Sequence, residues 1–105
     1  MGLKFSNNAT TTLADAVSST ATTFSVAAGT GGLFPELGVG DYFYATLQDV
    51  SGNMEIVKVT GRTDDAFTVT RAQEGTLAIP FLATSRVELR MTAAALQEIV
   101  DALAP

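Results

Sequence analysis

Asp41-Tyr42-Phe43-Tyr44-Ala45-Thr46-Leu47-Gln48-Asp49 is the stretch on which the fold turns. Its side chains alternate. Phe43, Ala45 and Leu47 fall on one side of an extended chain, and Tyr42, Tyr44, Thr46 and Gln48 on the other. Ser51-Gly52-Asn53 reads as a short hairpin loop, and Met54 to Thr60 returns as a second strand carrying Ile56, Val57 and Val59. Gly61-Arg62-Thr63-Asp64-Asp65 predicts the next turn, and Ala66 to Arg71 a third strand. Three consecutive strands with tight connections make a meander.

Upstream of the meander, Thr, Val and Phe favour two short strands, one within 9–17 and one within Thr22-Thr23-Phe24-Ser25-Val26, with a Ser/Thr turn between them. Gly29-Thr30-Gly31-Gly32 breaks the pattern, and Leu33-Phe34-Pro35-Glu36-Leu37-Gly38 reads as a compact loop or one 3₁₀ turn. Its three large apolar residues are expected to plug one end of the core. Downstream, Ala72 to Thr76 is a turn, and Pro80 makes Leu77 to Ser85 an edge or loop. Arg86 to Met91 alternates again, with Val87, Leu89 and Met91 inward. The period then changes. Thr92 fits a helix N-cap, and Ala93 to Leu103 is helix sequence with Leu96, Ile99, Val100 and Leu103 at i, i+3, i+4 and i+7. The expected architecture is mainly β, a small antiparallel β-sandwich or barrel with one C-terminal α-helix. It forms one domain over 1–105, with a β core over 1–91 and a helix over 92–104.

Composition narrows the function classes. The 105 residues are 47% hydrophobic and include no histidine, cysteine or tryptophan. Histidine is the usual proton shuttle near neutral pH, and cysteine the usual thiolate nucleophile and soft metal ligand. Their absence removes the easiest routes to catalysis and to transition-metal binding. A net charge of −5 and a pI near 4.3 leave little for phosphate backbones to bind. No apolar run approaches the roughly 18 residues of a membrane span, and the N-terminus has no apolar signal-peptide region. Met1-Gly2 with Ser6 fits the loose myristoylation pattern, and Asn8-Ala9-Thr10 is a glycosylation sequon. Both are short enough to arise by chance.

Chemical constellations are sparse. The glycines at 29, 31, 32, 38 and 40 match neither a dinucleotide fingerprint nor a P-loop, and read as backbone punctuation. Asp41, Glu55, Glu74 and Glu88 are the carboxylates that could supply an acid and a base, but nothing places two of them on one cleft. Surface ion pairs with Arg71, Arg86 and Arg90 are the simpler use. Asp64-Asp65 lacks the ligand spacing of a calcium loop and reads as a solvated turn. No serine lies in Gly-x-Ser-x-Gly, and a lysine-assisted serine would need Lys4 or Lys58, the latter expected exposed on a strand. No catalytic residue, cofactor site or metal site is therefore assigned, and the chain is read as a non-enzyme.

Two surface features can carry binding. Tyr42 and Tyr44 share the outer face of the best strand. They offer either a contact surface or a face covered by a second sheet. The Leu96, Ile99, Val100 and Leu103 stripe either closes the open end of the core or docks on another subunit. Two heptad positions are too few to specify a coiled coil.

Several runs together resemble the small β-rich modules in virion proteins of tailed bacteriophages, often at the N-terminal end of tail-fibre or related tail proteins. They are Leu33-Phe34-Pro35, Asp41 to Leu47, Glu55-Ile56-Val57-Lys58-Val59-Thr60, Thr70-Arg71-Ala72-Gln73-Glu74-Gly75-Thr76, and Val87 to Leu96. The chain departs from such modules at Leu77, Ile79, Pro80 and Thr84, where small or basic residues and a glycine are usual. The resemblance implies a structural protein of the phage particle, made in the bacterial host cytoplasm. Since the sequence stops after the helix, the expectation is an anchor or adaptor of the tail or fibre without a shaft. Its partners would be other virion proteins and further copies of itself, as a homo-oligomer and in the first instance a trimer. Neither nucleic acid nor membrane is expected as a partner. Capsid decoration, or a head-fibre role, is the alternative within the particle. A carbohydrate-binding module using Tyr42 and Tyr44 is the alternative outside it.

Overall fold

The computed structural model describes residues 2–103; Ala104, at the end of the expected helix, Pro105, and Met1 of the myristoylation pattern lie outside them. The chain is mainly β. Six strands, β1 (Thr10–Thr12), β2 (Thr23–Ser25), β3 (Phe43–Gln48), β4 (Met54–Thr63), β5 (Ala66–Gln73) and β6 (Arg86–Glu88), form one antiparallel sheet in the order β1-β6-β3-β4-β5-β2. A helix, α1 (Ala93–Leu103), follows, over the residues that the apolar spacing predicts.

The sheet curls into a half-barrel, and its two edges meet. Leu13, just after β1, bridges Val26, just after β2. There the Ala14 N–H donates to the Ser25 carbonyl (2.9 Å) and the Ala27 N–H to the Thr12 carbonyl (2.9 Å). Pairing the edge strands in this way satisfies backbone groups that would otherwise be open to other chains.

Alternation decides what fills the curl. Phe43, Ala45 and Leu47 of β3, Val57 and Val59 of β4, Phe67 and Val69 of β5 and Val87 of β6 all point inward. Phe67 is the hub. Its ring centroid lies 5.1 Å from Phe34, 5.6 Å from Phe24 and 5.8 Å from Phe43. Phe81, within the irregular 77–85 stretch, bridges Val17 and is buried in the same core cluster.

Three expectations are corrected. The β4–β5 turn is shorter than the sequence indicates. β4 absorbs Gly61, Arg62 and Thr63 by a register shift between Val59 and Gly61, leaving Asp64-Asp65 as the turn. Leu33 stays exposed while Phe34 is buried, because the 3₁₀ turn at Gly31–Leu33 turns only one of them inward. β6 ends at Glu88, so Met91 leaves the alternation and is exposed.

The turn at Asp64-Asp65 is open to solvent at Asp64, as expected, and is clamped by Asp65. The Asp65 carboxylate accepts the Gly29 N–H (3.0 Å) and the Gly31 N–H (2.8 Å). These two hydrogen bonds hold the Asp65 carboxyl below the usual aspartate value. Gly31 is there because of contact: a Cβ at this position would collide with the Asp64 carbonyl. Gly31→Ala is expected to destabilise the fold by about 1–3 kcal/mol, as overpacking against backbone does. Urea denaturation measures it, and a loss indistinguishable from zero would contradict the close approach.

Candidate assembly interface

The outer face of β3 and β4 carries Tyr42, Tyr44, Ile56 and Lys58, on the side opposite the core. α1 lies on this face. Ala95 is buried, and with Leu3 and Tyr44 it forms a second apolar cluster against which Tyr42, Ile56 and Ile99 pack. An alanine at the centre of the contact lets the helix backbone approach the tyrosine rings closely. The rings themselves meet edge to face, with centroids 5.8 Å apart. The Lys58 ammonium sits 4.3 Å above the Tyr42 ring, so this lysine is half-buried and not simply exposed on its strand.

Buried tyrosine hydroxyls need partners, and α1 provides one. The Tyr42 hydroxyl donates to Glu98 Oε1 at 2.9 Å and the Tyr44 hydroxyl to the same oxygen at 3.4 Å. Burial, and then the adjacent Glu98 carboxylate, push the Tyr44 hydroxyl up to about 12 and raise that of Tyr42. Both therefore stay protonated as donors across the physiological range. The two tyrosines do share one face, as the alternation predicts, but the cover is α1 instead of a second sheet. Tyr44 is 8% exposed, which leaves no paired aromatic platform for a sugar to stack on.

The helix start is fixed from two directions. The Thr92 hydroxyl accepts the Ala95 N–H (3.2 Å), the N-cap that the sequence predicts. Glu74 Oε1 accepts the Ala94 N–H (2.9 Å), placing a negative charge at the positive end of the helix dipole. Thr92→Ala is expected to cost about 1 kcal/mol. Thermal unfolding followed in the helical circular-dichroism band measures it, and an unchanged midpoint would contradict the cap.

Glu74 belongs to the run Arg71-Ala72-Gln73-Glu74-Gly75-Thr76, and each polar side chain in that run has a structural task. Gln73 donates from its side chain to the Arg71 carbonyl (3.1 Å), and Thr76 donates to the Gln73 carbonyl (2.7 Å) while accepting the Ile56 N–H (3.1 Å). Arg71 turns inward beside Phe67 and Val69. Its guanidinium grips Glu55 with Nε on Oε2 and Nη2 on Oε1, both at 2.8 Å. The remaining donors reach the carbonyls of Ser18 (2.6 Å), Ala21 (3.0 Å) and Ile79 (2.7 Å). Glu55, fully buried, also accepts the N–H groups of Ala72 (2.9 Å) and Ile79 (3.0 Å). This pair is internal, not the surface ion pair expected. Glu88 with Arg90 (2.6 Å) and Arg86 (3.9 Å) does lie near the surface.

Burial alone would raise the Glu55 carboxyl, but the Arg71 guanidinium and the two N–H donors outweigh it and hold the group below 4.5. A carboxyl whose folded value is depressed adds stability above its unfolded value and loses it as pH falls. Unfolding free energy is therefore expected to fall on acidification below the ordinary glutamate range, from about pH 4.5 downward. Denaturation at stepped pH checks this, and stability unchanged over that descent would contradict it.

Of the interface residues named from sequence, Ile99 is half-buried against the tyrosine face. Leu96, Val100 and Leu103 are 52%, 51% and 80% exposed. The whole last turn, Val100 to Leu103, is exposed on every side. Apart from Ile99, the stripe that the sequence marks as apolar thus runs along the uncovered flank of a helix that docks through Ala95, Glu98 and Ile99. At its N-terminal end the flank opens into a groove of about 390 Å³ walled by Met54, Ile56, Met91 and Ala93, with Arg90 and Glu74 at its polar margin. Sequence reasoning missed Glu74 and Glu98 as docking residues, and Met54 and Met91 as groove walls. The available signal was a carboxylate on the helix face opposite two tyrosines.

Among the described residues, no group of three or more His, Cys, Asp and Glu side chains is placed to hold a metal ion. No described helix is long and apolar enough to cross a membrane. Compared with protein-family models and with curated proteins, the sequence matches none.

Proposed function

We propose that this chain is a structural component of a tailed-bacteriophage particle, a tail or fibre-anchoring adaptor that works by symmetric protein–protein assembly and not by turnover. One observation carries the reading: the outer flank of α1 exposes Leu96, Val100 and Leu103 on a helix already seated by its other face. Apolar side chains lined up on a held helix serve contact with another protein surface. The resemblance through Asp41–Leu47, Thr70–Thr76 and Val87–Leu96 supplies the kind of particle. The internal Glu55–Arg71 pair and the Glu74 cap give the Thr70–Thr76 run a physical purpose within it, since they lock strands, loops and helix into one rigid body. In this reading Tyr42 and Tyr44 seat the helix, and Leu96, Val100 and Leu103 meet the neighbour, with Ile99 shared between the two surfaces.

Quantitative mass spectrometry of purified particles tests the proposal. Detection at a few to tens of copies per particle fits the tail adaptor. Detection at hundreds of copies would move the same surface to a head decoration role. Absence of the chain from particles whose genome encodes it would overturn the proposal.

A further inference from the structure

Ala93, Leu96, Val100 and Leu103 are all exposed and succeed one another at spacings of three, four and three residues. This is the seam spacing of packed helices, with Ala93 and Val100 in one set of positions and Leu96 and Leu103 in the other. We propose that the seam packs antiparallel, across a two-fold axis, against α1 of a second copy of this chain. The inference rests on the assembly reading above and gives it a partner and a register.

In the antiparallel register the two sets face each other. Ala93 lies opposite Leu103 and Leu96 opposite Val100, and both contacts repeat across the axis, as an isologous interface requires. Sizes match. Leu103, the most exposed side chain of the stripe, meets the smallest one. Beside that alanine lies the groove walled by Met54, Ile56 and Met91, where adaptable methionine side chains can close on a leucine.

Charge favours the same arrangement. The positions flanking the seam are Gln97 and Ile99, so no like charges meet there. α1 has no acidic residue in its first turn and no basic residue in its last. The N–H end of α1 is already capped by Thr92 and Glu74, so the positive charge that an antiparallel neighbour's carbonyl end meets there is Arg90, which lines the groove at that end. The three-fold bundle expected from the sequence would gather three like helix ends and leave the groove unfilled. The contact area is small. A seam of four positions on an eleven-residue helix falls well short of the roughly 800 Å² per partner of a standard interface, so the pair is weak alone and forms where copies are concentrated.

Engineered thiols test the register, since the chain has no cysteine of its own. Ala93→Cys and Leu103→Cys chains are mixed at high concentration under mild oxidation, and covalent dimers are identified by mass. An exposed Asp15→Cys chain serves as the collisional control, and circular dichroism checks that each variant is folded. The mixed 93–103 dimer is expected to form roughly tenfold faster than either same-site dimer, because same-site thiols would sit about 15 Å apart along the axis, beyond disulfide reach. A dominant 103–103 product would overturn the antiparallel register while leaving assembly through α1 standing. Products no faster than the Asp15→Cys control would overturn both the register and assembly through this flank.

Discussion

Arg71→Ala is expected to remove about 3–5 kcal/mol of folding stability, the range for breaking a buried ion pair by deleting one partner. The reason is what remains. Glu55, with no exposed surface, would be left without the guanidinium that offsets its desolvation, and must either carry an unpaired buried charge or take up a proton. The carbonyls of Ala21 and Ile79 would lose the guanidinium donor at the same time, while that of Ser18 would keep the Ala21 N–H (3.3 Å). For a chain of this size the melting midpoint should fall by roughly 4–8 °C for each kcal/mol. Arg71→Lys should rescue little, since an ammonium cannot hold both carboxylate oxygens and three carbonyls in one plane. Replacing both partners with apolar side chains should recover part of the loss but not all, because the Ala21 and Ile79 carbonyls lose Arg71 and the Ala72 and Ile79 N–H groups lose Glu55. Guanidinium denaturation of the single and double variants provides the numbers. A loss below about 1 kcal/mol for Arg71→Ala would place the pair in the weak class of surface bridges and contradict its burial.

Phe67→Ala is expected to cost about 3–5 kcal/mol by a different route. The ring is fully buried and touches Phe24, Phe34 and Phe43, which come from a β-strand, the loop after the 3₁₀ turn, and the central strand. Removing it takes away apolar burial and leaves a cavity that three partners on separate elements cannot close together. Phe67→Leu should lose distinctly less, because most of the volume is restored. Equal losses for the two substitutions would contradict the packing argument, since the cavity would then not set the cost.

Much of the sheet was legible because period-two alternation is a strong constraint. Phe43, Ala45 and Leu47 had to share a face, and so did Val57 and Val59. The same alternation carried more than was drawn from it. Glu55 is in phase with Val57, and Arg71 with Val69, so both were marked for the interior. Charged residues are so seldom fully buried that sequence alone favours a surface pair. The β4–β5 turn escaped because Gly61 looks like a turn residue, whereas here it sits in a strand where the register shifts, a position that the sequence does not distinguish.

The helix was legible in extent and in its cap, but not in orientation. Its largest apolar residues mark one stripe, and a stripe ordinarily faces the core. Here the tyrosine hydroxyls bear on the orientation, because they demand an acceptor and Glu98 on the docked side of α1 supplies it. Ala95 on that side allows the close approach. Leu96, Val100 and Leu103 are left on the flank when Glu98 turns toward the two tyrosine hydroxyls. No periodicity in α1 alone could reveal this, since the requirement comes from β3.

Sedimentation equilibrium of the full chain, carried into the millimolar range, tests the central claim that the outer flank of α1 joins copies of this protein. The account predicts reversible self-association that is lost in Leu96→Asp and Val100→Asp chains whose circular dichroism is unchanged. A wild-type chain that stays monomeric throughout, or an oligomer that survives both substitutions, would contradict it.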